Sequence, residues 1–92
     1  MKFEWDPVKA LRNKKKHGIT FSEALTVFND PLELTIPDPD HSSGEFRFLS
    51  IGKSDKGKLQ IVSYTENQNG IIRIINSRKA TPREKRQYEH NR

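Results

Sequence analysis

Residues 71–80 form the longest β-branched run of the chain, four isoleucines interrupted by Arg73 and followed by Arg78. A run with so little polar relief predicts a central strand buried on most of both faces. Arginine there has two readings: ion pairing or snorkelling to a sheet edge, or guanidinium groups offered to an anion such as an RNA phosphate. Upstream, residues 2–5 predict a short strand. Asp6-Pro7 then supplies an N-cap and a first helical residue. That helix carries Val8, Ala10 and Leu11, gathers Lys14-Lys15-Lys16-His17 at its negative end and stops at Gly18. Thr20-Phe21-Ser22-Glu23 fits a capping box, Thr20 reaching forward and Glu23 back, with Ile19 and Ala24 as its hydrophobic staple. The second helix shows an apolar stripe of Ala24, Leu25, Val27 and Phe28 and ends at Asn29-Asp30-Pro31.

Strand patterning then takes over. Residues 32–36 predict a second strand, 37–44 an exposed acidic loop, 45–53 a third strand, 54–57 a hairpin turn and 59–66 a fourth strand. A turn over 67–70 leads into the isoleucine strand, which completes an antiparallel meander of about four strands. Thr81, Pro82 and Glu84 stand at the N-cap, N1 and N3 positions of a third helix. It has Tyr88 but no leucine, isoleucine or valine, so the pattern predicts loose docking or fraying. The order β-α-α, antiparallel sheet, C-terminal helix is an α+β arrangement in a single domain over residues 1–92.

Composition narrows the picture. With 32% apolar residues and a mean hydropathy of −0.91 in 92 residues, the core is thin, and marginal stability or burial supplied by a partner is expected. Absence of cysteine excludes disulfides and thiolate metal sites and fits a reducing cytoplasm. His17, His41 and His90 lack metal-ligand spacing, so no metal or cofactor is expected, and no run is apolar enough for a membrane. Seventeen Lys and Arg against 12 Asp and Glu, a net charge of +5, point to a polyanion or an acidic protein as partner. The Lys14–His17 cluster reads as helix-dipole compensation or as a backbone-phosphate contact. A helix-turn-helix across His17-Gly18-Ile19 is disfavoured, because the second helix lacks the base-reading side chains of a recognition helix. The Asp40-His41 pair is assigned to turn chemistry rather than catalysis.

Strand parity places Arg47 and Lys53 on one face, and Arg73 opposite Arg78 unless the strand bends. Arg78 would approach Glu66 and Arg47 across the sheet if it lay beside the end of strand four. RNA cleavage by internal 2′-OH attack needs a proton acceptor, cations for the phosphorane-like charge and an acid for the leaving 5′ oxygen. Arginine fills only the second role, which leaves Glu66, Glu84, His17, Lys53 and Tyr88 for the others. Three of them have a structural alternative: an ion pair for Glu66, helix docking for Tyr88, a helix cap for His17.

The motifs Phe3-x-Trp5-Asp6-x-x-Lys9, Asn13-x-x-Lys16-His17-Gly18-Ile19-x-Phe21-x-Glu23-Ala24, Asp30-Pro31, Ile51-Gly52, Tyr64-Thr65-Glu66 and Ile72-Arg73-Ile74-Ile75-x-x-Arg78-x-Ala80, then Glu84, together resemble the BrnT toxin family. That resemblance implies a RelE-like fold and a type II toxin that cleaves RNA to halt translation. It also implies a BrnA-like antitoxin, DNA-binding and of ribbon-helix-helix type, through which alone the toxin meets operator DNA. The basic RNA site of the family maps onto Arg47 and Arg78. Where many relatives have an arginine after Tyr-Thr-Glu this chain has Asn67, a loss that Arg73 or Lys53 would offset. The expectation is thus a metal-independent endoribonuclease with Arg47, Arg78, Lys53 and Glu66 catalytic, Glu66 as general base, and Arg73, Lys16, His17 and Tyr88 touching RNA. Its rival is a non-catalytic nucleic-acid-binding or operon-regulating module, which needs no carboxylate beside its cations.

Overall fold

A computed structural model describes residues 1–38 and 46–90. The chain runs β1 (Lys2–Glu4), α1 (Pro7–His17), α2 (Phe21–Ala24), a 3₁₀ segment (Leu25–Asn29), β2 (Leu34–Pro37), β3 (Arg47–Lys53), β4 (Leu59–Glu66), β5 (Ile71–Lys79) and α3 (Pro82–His90). Most of the predicted acidic loop, with Asp40 and His41, lies outside the described residues. Asp6 accepts from the Val8 N–H to start α1, and Gly18, at φ 73°, ends it by donating to Lys14 O. Thr20 caps α2 through the Glu23 N–H at 3.1 Å. Glu23 does not reach back, however; its carboxylate turns into the core.

Five strands form one sheet in the order β1-β5-β4-β3-β2. β2 to β5 make the expected antiparallel meander, and β1 adds in parallel to the outer edge of β5. The register of β4 and β5 slips once: Tyr64 opposes Ile74 while Ser63 opposes Asn76, which makes Ile75 the extra residue of a bulge. A bulge of one residue reverses the face of everything beyond it.

The two faces of the sheet are covered unequally. On one, Ile19, Phe21, Ala24 and Val27 pack against Val62, Tyr64, Ile72 and Ile74, and Phe3, Phe28, Tyr64 and Phe48 form a chain of ring contacts with centroids 5.0–5.6 Å apart. The 3₁₀ segment lies so close to β3 that a Cβ on Gly52 would fall 2.8 Å from Val27 Cγ1, a separation only glycine permits. On the other face α3 covers one end, where Tyr88 packs on Ile51 and Ile61. β5 is thus not buried on both faces: Ile72, Ile74 and Ser77 are, whereas Arg73 and Lys79 are exposed.

α3 also departs from the expected loose docking. Tyr88 is only 2% exposed, and its hydroxyl donates to Asp30 Oδ2 at 2.6 Å. Asp30 accepts from the Lys53 N–H at 2.8 Å as well. Although burial pushes the Asp30 carboxyl up, the Lys53, Tyr88 and Leu32 hydrogen bonds together hold it below its ordinary value.

Because β1 pairs only with residues 71–73 of β5, the rest of that edge would be bare. Asn13, 5% exposed, fills it. Its Nδ2 donates to Ser77 O at 2.9 Å and to Ile19 O at 3.0 Å, while the Ser77 N–H donates to Asn13 Oδ1 at 3.0 Å. The network continues inward, since Ser77 Oγ donates to Gln60, Gln60 Nε2 donates to Glu23, and Ser54 Oγ donates to Glu23 at 2.9 Å. Among the described residues no buried side-chain polar atom is unpaired, as a thin core requires. Among them too, no helix is long and apolar enough to cross a membrane.

Asn13→Ala would leave three buried backbone groups unsatisfied. It is expected to lower stability by about 2–4 kcal/mol in urea unfolding, and a loss below about 1 kcal/mol would contradict this role.

Candidate nucleic-acid interface

The Ile75 bulge changes what strand parity suggested. Arg73 opposes Thr65 and Arg78 opposes Ile61, two β4 residues of equal parity, so both arginines lie on the same face. Arg47 opposes Thr65 from the other side, and Lys53 opposes Leu59. All four cations therefore emerge on the face that α3 only partly covers. Arg47, Thr65, Arg73 and Glu4 form one row across four strands. Two strand spacings separate Arg47 from Arg73, about 10 Å. Glu4 Oε2 lies 3.3 Å from Arg73 Nη1, with both side chains about half exposed, so solvent screens this pair and it holds the arginine only weakly.

Arg78 is held far more firmly. Its Nη1 and Nη2 donate to the two oxygens of Glu84 at 2.8 and 2.9 Å, and Nη1 also reaches Lys79 O at 3.3 Å. Such a fork fixes the guanidinium plane. Glu84 also accepts from the Thr81 N–H at 2.9 Å while its own N–H donates to Thr81 Oγ1, so the expected capping box forms and its carboxylate does double service. The Arg78 hydrogen bonds, opposed by burial and assisted by Thr81, bring the Glu84 pKa from 4.5 to about 2. Arg78 is raised in return, chiefly by the same hydrogen bonds.

At the far end of the sheet, beyond the Ile51–Ile61 row that Tyr88 covers, a cleft of about 530 Å³ opens. Lys53, Lys58, Lys79 and Lys85 line it with His17, and among the described residues Glu89 is the one carboxylate there. Lys16 borders a smaller cleft of about 170 Å³, with Lys9, Arg12 and Asn76, and His17 reaches both. Lys14 and Lys15 line neither, which leaves them the role of compensating the end of α1.

The structure thus brings together Arg47 with Arg73, and Lys53 with His17. It separates Glu66 from both groups. Glu66 opposes Ile72, on the face of Val62 and Tyr64, and lies five residues from the partner of Arg78, about 17 Å along the strand. It is therefore not the base beside Arg78. Tyr88 is too buried to stack on RNA and serves instead to dock α3. Glu84, a candidate acid or base by residue type, is instead the carboxylate that fixes Arg78, and the strand-edge role of Asn13 has no local signal in the sequence. For Glu84, an N3 carboxylate six residues past a strand arginine is the signal that it turns back. Lys58 and Lys79 gave no signal, because their proximity depends on the β4–β5 register. Among the described residues no three His, Cys, Asp or Glu side chains converge to hold a metal.

A helix-backed meander whose second face carries arginines and a terminal helix defines a small α+β domain. Residues 5–84 match the model of the family described as the BrnT ribonuclease toxin of type II toxin–antitoxin systems, and the chain belongs to that family. The crystal structure of the ribonuclease toxin BrnT of Brucella abortus superposes with a TM-score of 0.69 at 22% identity, covering 88% of this chain and 97% of that one. A search of curated sequences finds no match.

Folded Glu84 stays ionised down to about pH 2, whereas the unfolded chain protonates it near 4.5. The stability the pair contributes is therefore complete above about pH 4.5 and is lost as pH falls toward 2. Glu84→Gln is expected to cost about 1–2 kcal/mol at neutral pH, and its difference from the parent chain should shrink across that window. Urea unfolding at neutral pH and near the lower limit reads this, and a constant difference would contradict the pairing.

Proposed function

We propose that this toxin is a metal-independent endoribonuclease whose RNA lies over the partly open face of the sheet. The observation that supports this most is the Ile75 bulge, which turns Arg73 and Arg78 onto the face of Arg47. Three guanidinium groups on one face, backed by a rigid sheet, suit a phosphate whose charge grows during reaction, since preorganised cations act where charge develops. In the reaction the 2′ oxygen bonds to the adjacent phosphorus, the bond from phosphorus to the 5′ oxygen breaks, and a 2′,3′-cyclic phosphate and a 5′-hydroxyl result.

Arg47 and Arg73 hold the phosphate across Thr65, and Arg78, kept flat by Glu84 on the Ile61 row four residues along β4, carries a phosphate further along the RNA. Glu4, beside Arg73, takes the 2′-OH proton in place of Glu66, and water supplies the proton for the leaving oxygen. Lys53, His17 and Lys16 guide the rest of the RNA. The partner is a BrnA-like DNA-binding antitoxin that covers the arginine face, so operator DNA is met only through it, and the site of action is the cytoplasm.

Arg47→Ala and Arg73→Ala are each expected to lower cleavage on the order of a hundredfold and to relieve growth inhibition. Glu4→Gln should lower kcat while leaving RNA affinity near that of the parent. Products should carry cyclic phosphate ends in EDTA; cleavage that requires Mg²⁺, or 3′-hydroxyl ends, would overturn the mechanism. Full toxicity in both arginine variants would overturn the site.

A further inference from the structure

The lysine cleft is set apart from the arginine row. Lys53 lies six residues along β3 from Arg47, about 20 Å, and the Tyr88 ring covers the Ile51–Ile61 row between them. A phosphate held by Arg47 and Arg73 therefore cannot touch the cleft. Four elements contribute to it: the end of α1 with His17, the β3–β4 hairpin with Lys53 and Lys58, the end of β5 with Lys79, and α3 with Lys85. Ile19, Leu59 and Ala80 add apolar surface among these cations. Of the four lysines none is in an ion pair with a described carboxylate, whereas Arg73 and Arg78 both are. Their charges repel one another across the cleft, and an anion that enters relieves that repulsion.

Volume narrows the ligand. About 530 Å³ is the size of a small-molecule pocket, and the mixture of ammonium groups with an apolar wall suits a ligand that has a phosphate at one end and a flat ring at the other. We propose that this cleft is a nucleotide-phosphate subsite, with the phosphate among Lys58, Lys79 and Lys85 and the base against Leu59 and Ala80. Two sources share that chemistry: a nucleotide of the bound RNA several positions from the scissile phosphate, and a free nucleoside phosphate. The first source rests on the ribonuclease reading above, while the second does not.

The test uses the full chain and a 2′-O-methylated single-stranded RNA, which cannot be cleaved, so binding is read whether or not the protein is an enzyme. Lys58→Gln/Lys79→Gln/Lys85→Gln is compared with Lys14→Gln/Lys15→Gln/Lys56→Gln, an equal loss of charge on exposed lysines outside the cleft. Fluorescence anisotropy is expected to show the cleft variant weakened about tenfold or more, with the slope of log affinity against log salt reduced by about 2, and the control within about twofold of the parent chain. In the second arm, AMP titrated into ¹⁵N-labelled protein should shift the amides of Ile19, Gly57 and Ala80, and not in the cleft variant. RNA affinity lost from the cleft variant assigns the subsite to RNA. AMP shifts with unchanged RNA affinity assign it to a free nucleotide. Equal weakening in the two triple variants, or no change in either arm, overturns the subsite. Circular dichroism of both variants confirms that the fold is kept, since all six lysines are exposed.

Discussion

The pairing of Asn13 with Ser77 settles which face of the sheet each later residue of β5 meets. Immediately before Ser77 the strand carries its bulge at Ile75, and immediately after it comes Arg78. By taking both the N–H and the carbonyl of Ser77, the Asn13 amide acts as a strand neighbour along an edge that β1 does not cover. A bulge loosens the ladder locally, and a slip of one residue there would send Arg78 into the core and Ser77 out of it. With the Ser77 hydroxyl bonded to Gln60, and Gln60 to Glu23, that slip would also strand buried polar groups, each costing about 1–3 kcal/mol. Placement of the outer-face arginines is thus secured from inside the protein.

The outer face shows a division of labour between its cations. Arg78 is locked by a bidentate carboxylate that also caps α3, so its position costs little conformational entropy when an anion arrives. Arg47 and Arg73 lie on the row that Tyr88 leaves open, and the lysines of the distant cleft form no ion pair with a carboxylate among the described residues. A rigid guanidinium flanked by more mobile ammonium groups matches the need of a chain ligand, one phosphate held to high accuracy and its neighbours held by charge alone. The small apolar fraction of the chain sets the limit on how much of this surface is covered, and among the described residues one helix with a single buried tyrosine shields the second face.

Much of this was readable in the residues. Capping signals at Asp6, Thr20 and Thr81 found every helix start, and alternation with turn residues found the meander, since both are local properties of a few neighbouring positions. The phase of β5 was not readable. A bulge is decided by pairing with a strand ten residues upstream and by an asparagine 64 residues away, so parity counted along the strand put Arg73 and Arg78 on opposite faces. Glu66 is a candidate base only if Arg78 lies beside the end of β4, and its parity with Tyr64 places it on the helix-covered face instead. The last helix was judged by its lack of aliphatic residues, while one tyrosine with a buried hydroxyl partner was enough to dock it.

In the proposed function RNA occupies the face of Arg47, Arg73 and Arg78 rather than the outer surface of α1 and α2. Photocross-linking with a 2′-O-methylated RNA that carries 4-thiouridine, followed by mass spectrometry of the adducts, tests this directly. Adducts at Arg47, Leu49, Ser63 or Arg73, whose side chains share that face, are the predicted result. Adducts confined to α1 and α2, with none on that face, would contradict it.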